Sequence, residues 1–305
     1  MTDLAPIHHS PRLPAVVRAM RPRQWVKNAL VFTAPLAAGL ILDVQVIGQT
    51  VLAFVAFSLV SASIYLINDS RDVEADRLHP TKRLRPIAAG ELSIRTALIL
   101  AAITLIASLA VGWFTAPALA ATLAVYWVAQ VAYSLFWKNE PIIDLAMVAL
   151  GFLLRAIAGG VASSIPLSPW FLLVASFGSL FMVAGKRYSE LVQLGSNSGT
   201  RASLARYTPG YLRFVWAMAC GAVVMSYALW AVDQVARPGA SPLLSLDAAT
   251  WNAISIAPFT LAVLRYAYVI DAGQAGEPEE VVLGDRVLQL LGLVWLLPVA
   301  LALFA

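Results

Sequence analysis

Three carboxylates at fixed spacing, Asp69, Asp72 and Asp76, follow an apolar run that ends at Ile67. On a continuous helix they fall at i, i+3 and i+7 and share one face, which Asn68 borders four residues before Asp72. Pro80 cannot continue a helix and pushes His79 out of the helical region. The chain therefore leaves the stripe through Arg77 and runs directly into Lys82, Arg83 and Arg85. Hard oxygen ligands beside a run of cations are what a magnesium–polyphosphate group needs. The plain alternative is a solvated helix end with scattered charge. The position of the stripe at the mouth of a membrane helix argues against it, because charges at such places are functional by default.

Three further groups of residues could take part. Gly185-Lys186-Arg187-Tyr188-Ser189-Glu190 closes another apolar run, and Arg187 and Glu190, three apart, can share a face. Gln24, Lys27 and Asn28 open the first apolar segment beside Arg21 and Arg23, where the free amides of a helix start collect anions. For both groups the alternative is a basic flank of the kind found on the cytoplasmic side of any membrane helix. Arg155 lies well inside an apolar span, where an arginine must face the bundle interior or find a partner. Asp144, eleven residues earlier, lies on the same face but about three turns away, too far to pair directly. A pocket-lining role for Arg155 is favoured over a structural pair. Tyr133 and Gln130 are weaker candidates, since such residues more often make helix–helix contacts.

The elements that must position these groups are membrane helices. Of 305 residues, 60% are hydrophobic and only 12% charged, against about a quarter charged in soluble domains. Spans of roughly 17–25 residues are predicted about nine times, near 26–42, 48–67, 95–113, 116–136, 141–162, 168–186, 211–232, 250–270 and 286–304. The expected fold is thus an all-α polytopic bundle: a cytoplasmic tail over 1–25, then a single transmembrane domain over 26–305. The tail carries Arg12, Arg18, Arg21 and Arg23 with no apolar core, so no cleavable signal peptide is expected, and His8 and His9 with nearby prolines suggest flexibility. Lys and Arg gather before the first span and after the second, fourth and sixth, including Arg71, Lys138, Arg201, Arg206 and Arg213. The other loops are nearly bare, with Asp233, Arg237 and Asp247 in one of them. This places the stripe and the N-terminus in the cytoplasm and the C-terminus outside. The acidic loop Asp271–Asp285 is read as a solvated loop or lid.

Other chemistries lack their residues. There is no Walker-type glycine loop, no His/Cys metal cluster and no Gly-x-Ser-x-Gly elbow. The histidines lie at His8, His9 and His79, so no histidine relay crosses the membrane, which counts against a proton-coupled transporter. Cys220 forms no internal disulfide and reads as a core residue. The membrane bilayer is the expected partner, no nucleic acid is expected, and assembly into a homo-oligomer is left open.

Asn68-Asp69-x-x-Asp72-x-x-x-Asp76 resembles the first aspartate motif of the UbiA superfamily of intramembrane prenyltransferases. The resemblance covers essentially the whole chain. It implies nine helices around a central cavity and magnesium held against a diphosphate, with Asp69, Asp72 and Asp76 as the metal ligands. Where prenyltransferases of this family carry a second Asp-rich motif, this chain has Lys186-Arg187-Tyr188-Ser189-Glu190. Together with Arg21–Asn28 and Asp76–Pro86, that segment is similar to one branch, the decaprenyl-phosphate phosphoribosyltransferases of cell-wall arabinan synthesis. The branch implies transfer of 5-phosphoribosyl from phosphoribosyl pyrophosphate to decaprenyl (polyprenyl) phosphate, with release of pyrophosphate. Lys82, Arg83 and Arg85 would then hold the donor phosphates, and Lys186, Arg187 or Lys27 would orient the acceptor. Asp76 or Glu190 would stabilise positive charge on the sugar. Gln24, Asn68, Arg77, Tyr133, Arg155 and Tyr188 complete the expected substrate-binding set. The alternatives are a prenyltransferase joining a prenyl diphosphate to an aromatic acceptor, and a transporter or lipid-binding protein.

Overall fold

The computed structural model describes residues 13–194, 204–233 and 246–304; residues 1–12, with His8, His9 and Arg12, and the positions of Arg201 and Arg237 lie outside them. Among the described residues the chain is helical, with no β-strand. Eight long helices are apolar enough to cross a membrane: α1 (Val44–Arg71), α2 (Ile94–Thr115), α3 (Pro117–Ala132), α4 (Ile143–Ala162), α5 (Pro169–Leu194), α6 (Pro209–Asp233), α7 (Ala248–Asp271) and α8 (Arg286–Phe304). α3 continues as one π-helical turn, Tyr133–Trp137.

The first expected span is not an α-helix of that length. It is a 3₁₀ segment, Pro22–Phe32, followed by one α-turn, Thr33–Ala37. Pro35 has no N–H, so the carbonyl of Val31, four residues earlier, has no α-helical donor. That carbonyl presses against Gly159 of α4, where any Cβ would collide with it. At a rise of about 2.0 Å per residue in 3₁₀ form, the two pieces still extend roughly 30 Å, the thickness of a bilayer core. The segment packs on α1 and α4 and takes the place of a ninth helix. The expected tail boundary at residue 25 falls inside this segment. Before it, the short helix Ala15–Ala19 lies on α1, with Ala19 buried among Leu66 and Val73.

Most helices that follow one another in the chain are neighbours in space: α1 with α2, α2 with α3, α3 with α4, α4 with α5, α5 with α6, α6 with α7 and α7 with α8. Two larger apolar cores result. One joins α1, α3 and α4 around Phe57, Leu119, Leu123 and Leu154; the other joins α5, α6 and α7 around Phe181, Leu212, Trp216 and Ile270. Gly185 lets α7 approach α5 so closely that Ile270 occupies the space of a side chain there.

Helix length positions the chemistry. α1 has 28 residues, about 42 Å, against a hydrocarbon core of about 30 Å. Asp43 caps its start, accepting from the N–H groups of Gln45 and Val46, both at 2.9 Å. The last two to three turns, which carry Asn68 and Asp69, therefore project beyond the apolar layer. α5, with 26 residues, carries Lys186–Glu190 in about its last two and a half turns.

Candidate active site

The carboxylate stripe is not one continuous face. α1 ends at Arg71, Asp72 leaves helical geometry, and a new short helix, Val73–Leu78, carries Asp76. Asp69 and Asp76, each only 3% exposed, converge on one guanidinium. Arg85 Nη1 lies 3.1 Å from Asp69 Oδ1 and 2.6 Å from Asp76 Oδ2. Arg21 also pairs with Asp69 and stacks over the Tyr65 ring at 4.9 Å. Asp72 turns the other way, to Lys138 Nζ at 3.0 Å. The bend at Asp72 separates it from its two neighbours.

Lys138 follows the π-turn of α3. That turn leaves its carbonyls without regular partners, and Arg71 donates to those of Ser134 and, at 3.3 Å, Leu135. The residues on either side of the bend thus bind the end of α3: Arg71 through its guanidinium and Asp72 through its carboxylate. Arg77 points to Glu74 Oε1 at 2.9 Å and to the Ala88 carbonyl at 3.3 Å, away from the stripe. Arg83 is exposed and Lys82 half-buried. The turn before them is closed by His79 Nδ1, which accepts from the N–H groups of Thr81 and Lys82.

The end of α5 forms the second charged group. Arg187, 3% exposed, donates from Nη1 to Glu190 at 3.0 Å and from Nε to Asp144 at 3.3 Å; Asp144 is fully buried. Tyr207 donates to the other Asp144 oxygen at 2.5 Å. Burial first, and then this bond to a carboxylate, push the Tyr207 phenol well above its ordinary pKa. Lys186 lies 3.6 Å from Glu190 and donates to the Gly276 carbonyl at 2.8 Å. Tyr133 stands within electrostatic reach of Arg187. Tyr188 faces α6, where its hydroxyl accepts from Arg213 at 2.7 Å.

Between the two groups lie Lys27 and Arg155. Lys27 is 3.8 Å from Glu279 and within electrostatic reach of Lys186, Arg155 and Arg21. Gln24 is half-buried on the same segment. Arg155, 6% exposed, is held by neutral groups: the Asn28 amide oxygen at 2.8 Å, the Gly151 carbonyl at 2.7 Å, the Tyr126 hydroxyl at 2.8 Å and Ser61 at 3.5 Å. The rings of Phe57, Tyr126 and Phe152 lie within 5.6 Å of its guanidinium carbon. Tyr65 is in electrostatic contact with Arg155, Arg21 and Asp69, which links the deep arginine to the carboxylates. A groove of about 410 Å³ beside Arg265, Gln274 and Arg286 lies elsewhere, between α7 and α8, and none of the residues named above lines it.

Sequence reading did not single out Tyr65, Tyr126, Lys138 or Tyr207 as site residues, and it weighed Asp144 only against Arg155. No spacing rule joins them, since Tyr207 is 63 residues from Asp144 and Lys138 is 66 from Asp72. The signal available was residue type: a lone lysine after an apolar span, and an aspartate opening another.

The metal question turns on donor chemistry. Asp69, Asp72 and Asp76 offer carboxylate oxygens, and the Asn68 amide oxygen is buried with no hydrogen-bond partner. These are hard donors of the kind magnesium takes. Among the described residues, however, no three carboxylate, imidazole or thiol side chains form a ready cage. Arg21, Arg85 and Lys138 neutralise the acids instead.

A helical membrane bundle with acids and cations clustered at one mouth suits an intramembrane enzyme that handles phosphorylated substrates. The chain belongs to the UbiA prenyltransferase family, whose pattern matches residues 29–283. Among curated proteins it is 52% identical over 297 residues to the decaprenyl-phosphate phosphoribosyltransferase of Mycolicibacterium smegmatis, covering 95% of this chain and 92% of that one. It is 50% identical over 293 residues to the protein of the same name in Mycobacterium tuberculosis, covering 94% and 93%. The fold matches a solved UbiA homologue from Archaeoglobus fulgidus bound to GPP and Mg2+, with a TM-score of 0.68, 20% identity and coverage of 94% of this chain and 98% of that one.

Proposed function

We propose that this chain transfers the 5-phosphoribosyl group from phosphoribosyl pyrophosphate to a decaprenyl (polyprenyl) phosphate in the membrane, releasing pyrophosphate. One observation carries the reading beside the relatives' names. The end of α5 presents Lys186 and Arg187 where a prenyl-diphosphate enzyme needs more carboxylates, so the site is built for more phosphate than one diphosphate brings.

The donor lies against the first group, on the cytoplasmic side. Asp69, Asp72 and Asp76, with the Asn68 amide oxygen, would hold Mg2+. When bound, the ion neutralises the pyrophosphate and lowers the barrier to its departure. Arg85 and Arg21 then exchange carboxylates for phosphate oxygens, with Lys82 beside them. Lys138 does the same as Asp72 turns inward. As the bond between the anomeric carbon and the pyrophosphate oxygen lengthens, these cations meet the charge that develops on the leaving group.

The acceptor phosphate is already ionised at neutral pH, so no strong base is required. Lys186, Arg187 and Lys27 hold it with one oxygen facing the anomeric carbon. The new carbon–oxygen bond forms as the old one breaks, and pyrophosphate departs to the cytoplasm. Glu190 or Asp76 faces the positive sugar carbon. Arg155 lines the floor of the site with Tyr126 and Tyr65.

The test is transfer of radiolabel from phosphoribosyl pyrophosphate to decaprenyl phosphate by the purified protein. Magnesium-dependent label in the lipid phase is expected. No transfer from folded protein, together with prenylation of an aromatic acceptor, would replace this reading with the prenyltransferase one.

A further inference from the structure

The buried network behind Arg187 has a geometry that simple packing does not require. Ile142 stands at φ 69° and ψ −51°, and the Ile143 N–H donates to the Pro141 carbonyl at 2.7 Å. This is a γ-turn of the positive-φ kind, rare and strained for a β-branched residue. The Ile142 N–H it turns outward donates to the Tyr207 hydroxyl at 2.5 Å, and the same hydroxyl donates to Asp144. One phenol thus holds both the strained turn that launches α4 and the carboxylate that fixes Arg187. A second tie, from Arg206 to Glu140 at 3.2 Å, pins the same two loops at the surface.

Resting on the phosphoribosyl-transfer reading, we infer that Tyr207 and Asp144 are positioning residues that set the plane of the Arg187 guanidinium for the acceptor phosphate. Arg187 spends Nε on Asp144 and Nη1 on Glu190. The two carboxylates fix the fork in a single plane, and a planar fork recognises phosphate oxygens only when its plane is held. Glu190 is on the same helix as Arg187 and moves with it. Asp144 is on α4, and the Tyr207 hydroxyl ties it to the loop beyond α5. Burial and the bond to Asp144 raise the Tyr207 pKa, which keeps the proton on the phenol that the clamp needs as a donor.

The experiment is steady-state transfer by the purified full-length protein, varying decaprenyl phosphate and phosphoribosyl pyrophosphate in turn, for wild type, Tyr207→Phe and Asp144→Asn. Both variants keep the shape of the side chain. Loss of a hydrogen bond to a charged group predicts a rise of about 10-fold or more in the acceptor KM, with the donor KM within about two-fold of wild type. The rise should be larger in Asp144→Asn, which also removes the ion pair. Unchanged KM values with a lower melting temperature would overturn the inference and leave a structural tie. So would a parallel rise in both KM values, or failure of both variants to fold. Absence of transfer by the wild type would overturn the underlying reading instead.

Discussion

The two charged groups at the mouth of the bundle hold similar residues and handle them differently. Around α1, three carboxylates meet three cations supplied by three separate segments, and Asp72 and Lys138 are more than a third exposed. At the end of α5, Arg187 and Asp144 are buried, and their partners lock them from two sides. An exposed pair is worth about 0–1 kcal/mol and exchanges partners readily. A buried pair is expensive to break, because each charge left alone keeps its full desolvation cost. On the proposed reading the first group, whose cations Arg21 and Arg85 and whose Asp72–Lys138 pair reach solvent although Asp69 and Asp76 are buried, trades internal ion pairs for metal and pyrophosphate. On the same reading the second is a fixed seat, made before any substrate arrives.

The sharpest way to break this contrast is to remove the acids of the exchanging group. Asp69→Asn and Asp72→Asn should each lower turnover by about 10²–10³-fold, the scale of losing a principal electrostatic stabiliser, with the protein still folded by circular dichroism. Full activity in either variant would remove that residue from metal binding. Next comes Arg155, whose neutral cage holds it without a carboxylate among its hydrogen-bond partners. Arg155→Met leaves Asn28 and Tyr126 short of a partner and should destabilise the protein by about 1–3 kcal/mol, read as a lower melting temperature in detergent. It should also lower kcat, since the guanidinium lines the floor of the proposed site; an unchanged kcat would leave Arg155 as a brace of the bundle alone.

Salt distinguishes the two regions more gently. Raising the ionic strength toward 1 M shortens the screening length to about 3 Å. The donor KM should rise several-fold, while the acceptor KM, held in part by the buried Arg187 network, should rise less. The smallest effect belongs to Arg77. Its bond to the exposed Glu74 predicts a stability change within about 0.5 kcal/mol for Arg77→Ala, with little change in kcat.

Much of this arrangement was legible in the sequence. Eight of the expected spans appear as long helices near their expected places, because apolar runs of that length have few other uses. The first span did not appear in the expected form. Its 3₁₀ geometry is bound up with a contact between Val31 and Gly159 that no local pattern reveals. Periodicity put Asp69, Asp72 and Asp76 on one face by assuming an unbroken helix. The bend at Asp72 sends that side chain to Lys138 while Asp69 and Asp76 meet at Arg85. Asp144 was considered only against Arg155, its neighbour in sequence. Its actual partners, Arg187 and Tyr207, come from segments that only the folded bundle brings together.

The most direct measurement is equilibrium binding of labelled phosphoribosyl pyrophosphate to the purified protein without any lipid acceptor, with magnesium and with EDTA, for wild type and Asp69→Asn. Tight binding by the wild type only with magnesium, lost in Asp69→Asn, is the expected result. Binding that is equally tight in EDTA, or unchanged in Asp69→Asn, would contradict a donor site built from the α1 carboxylates.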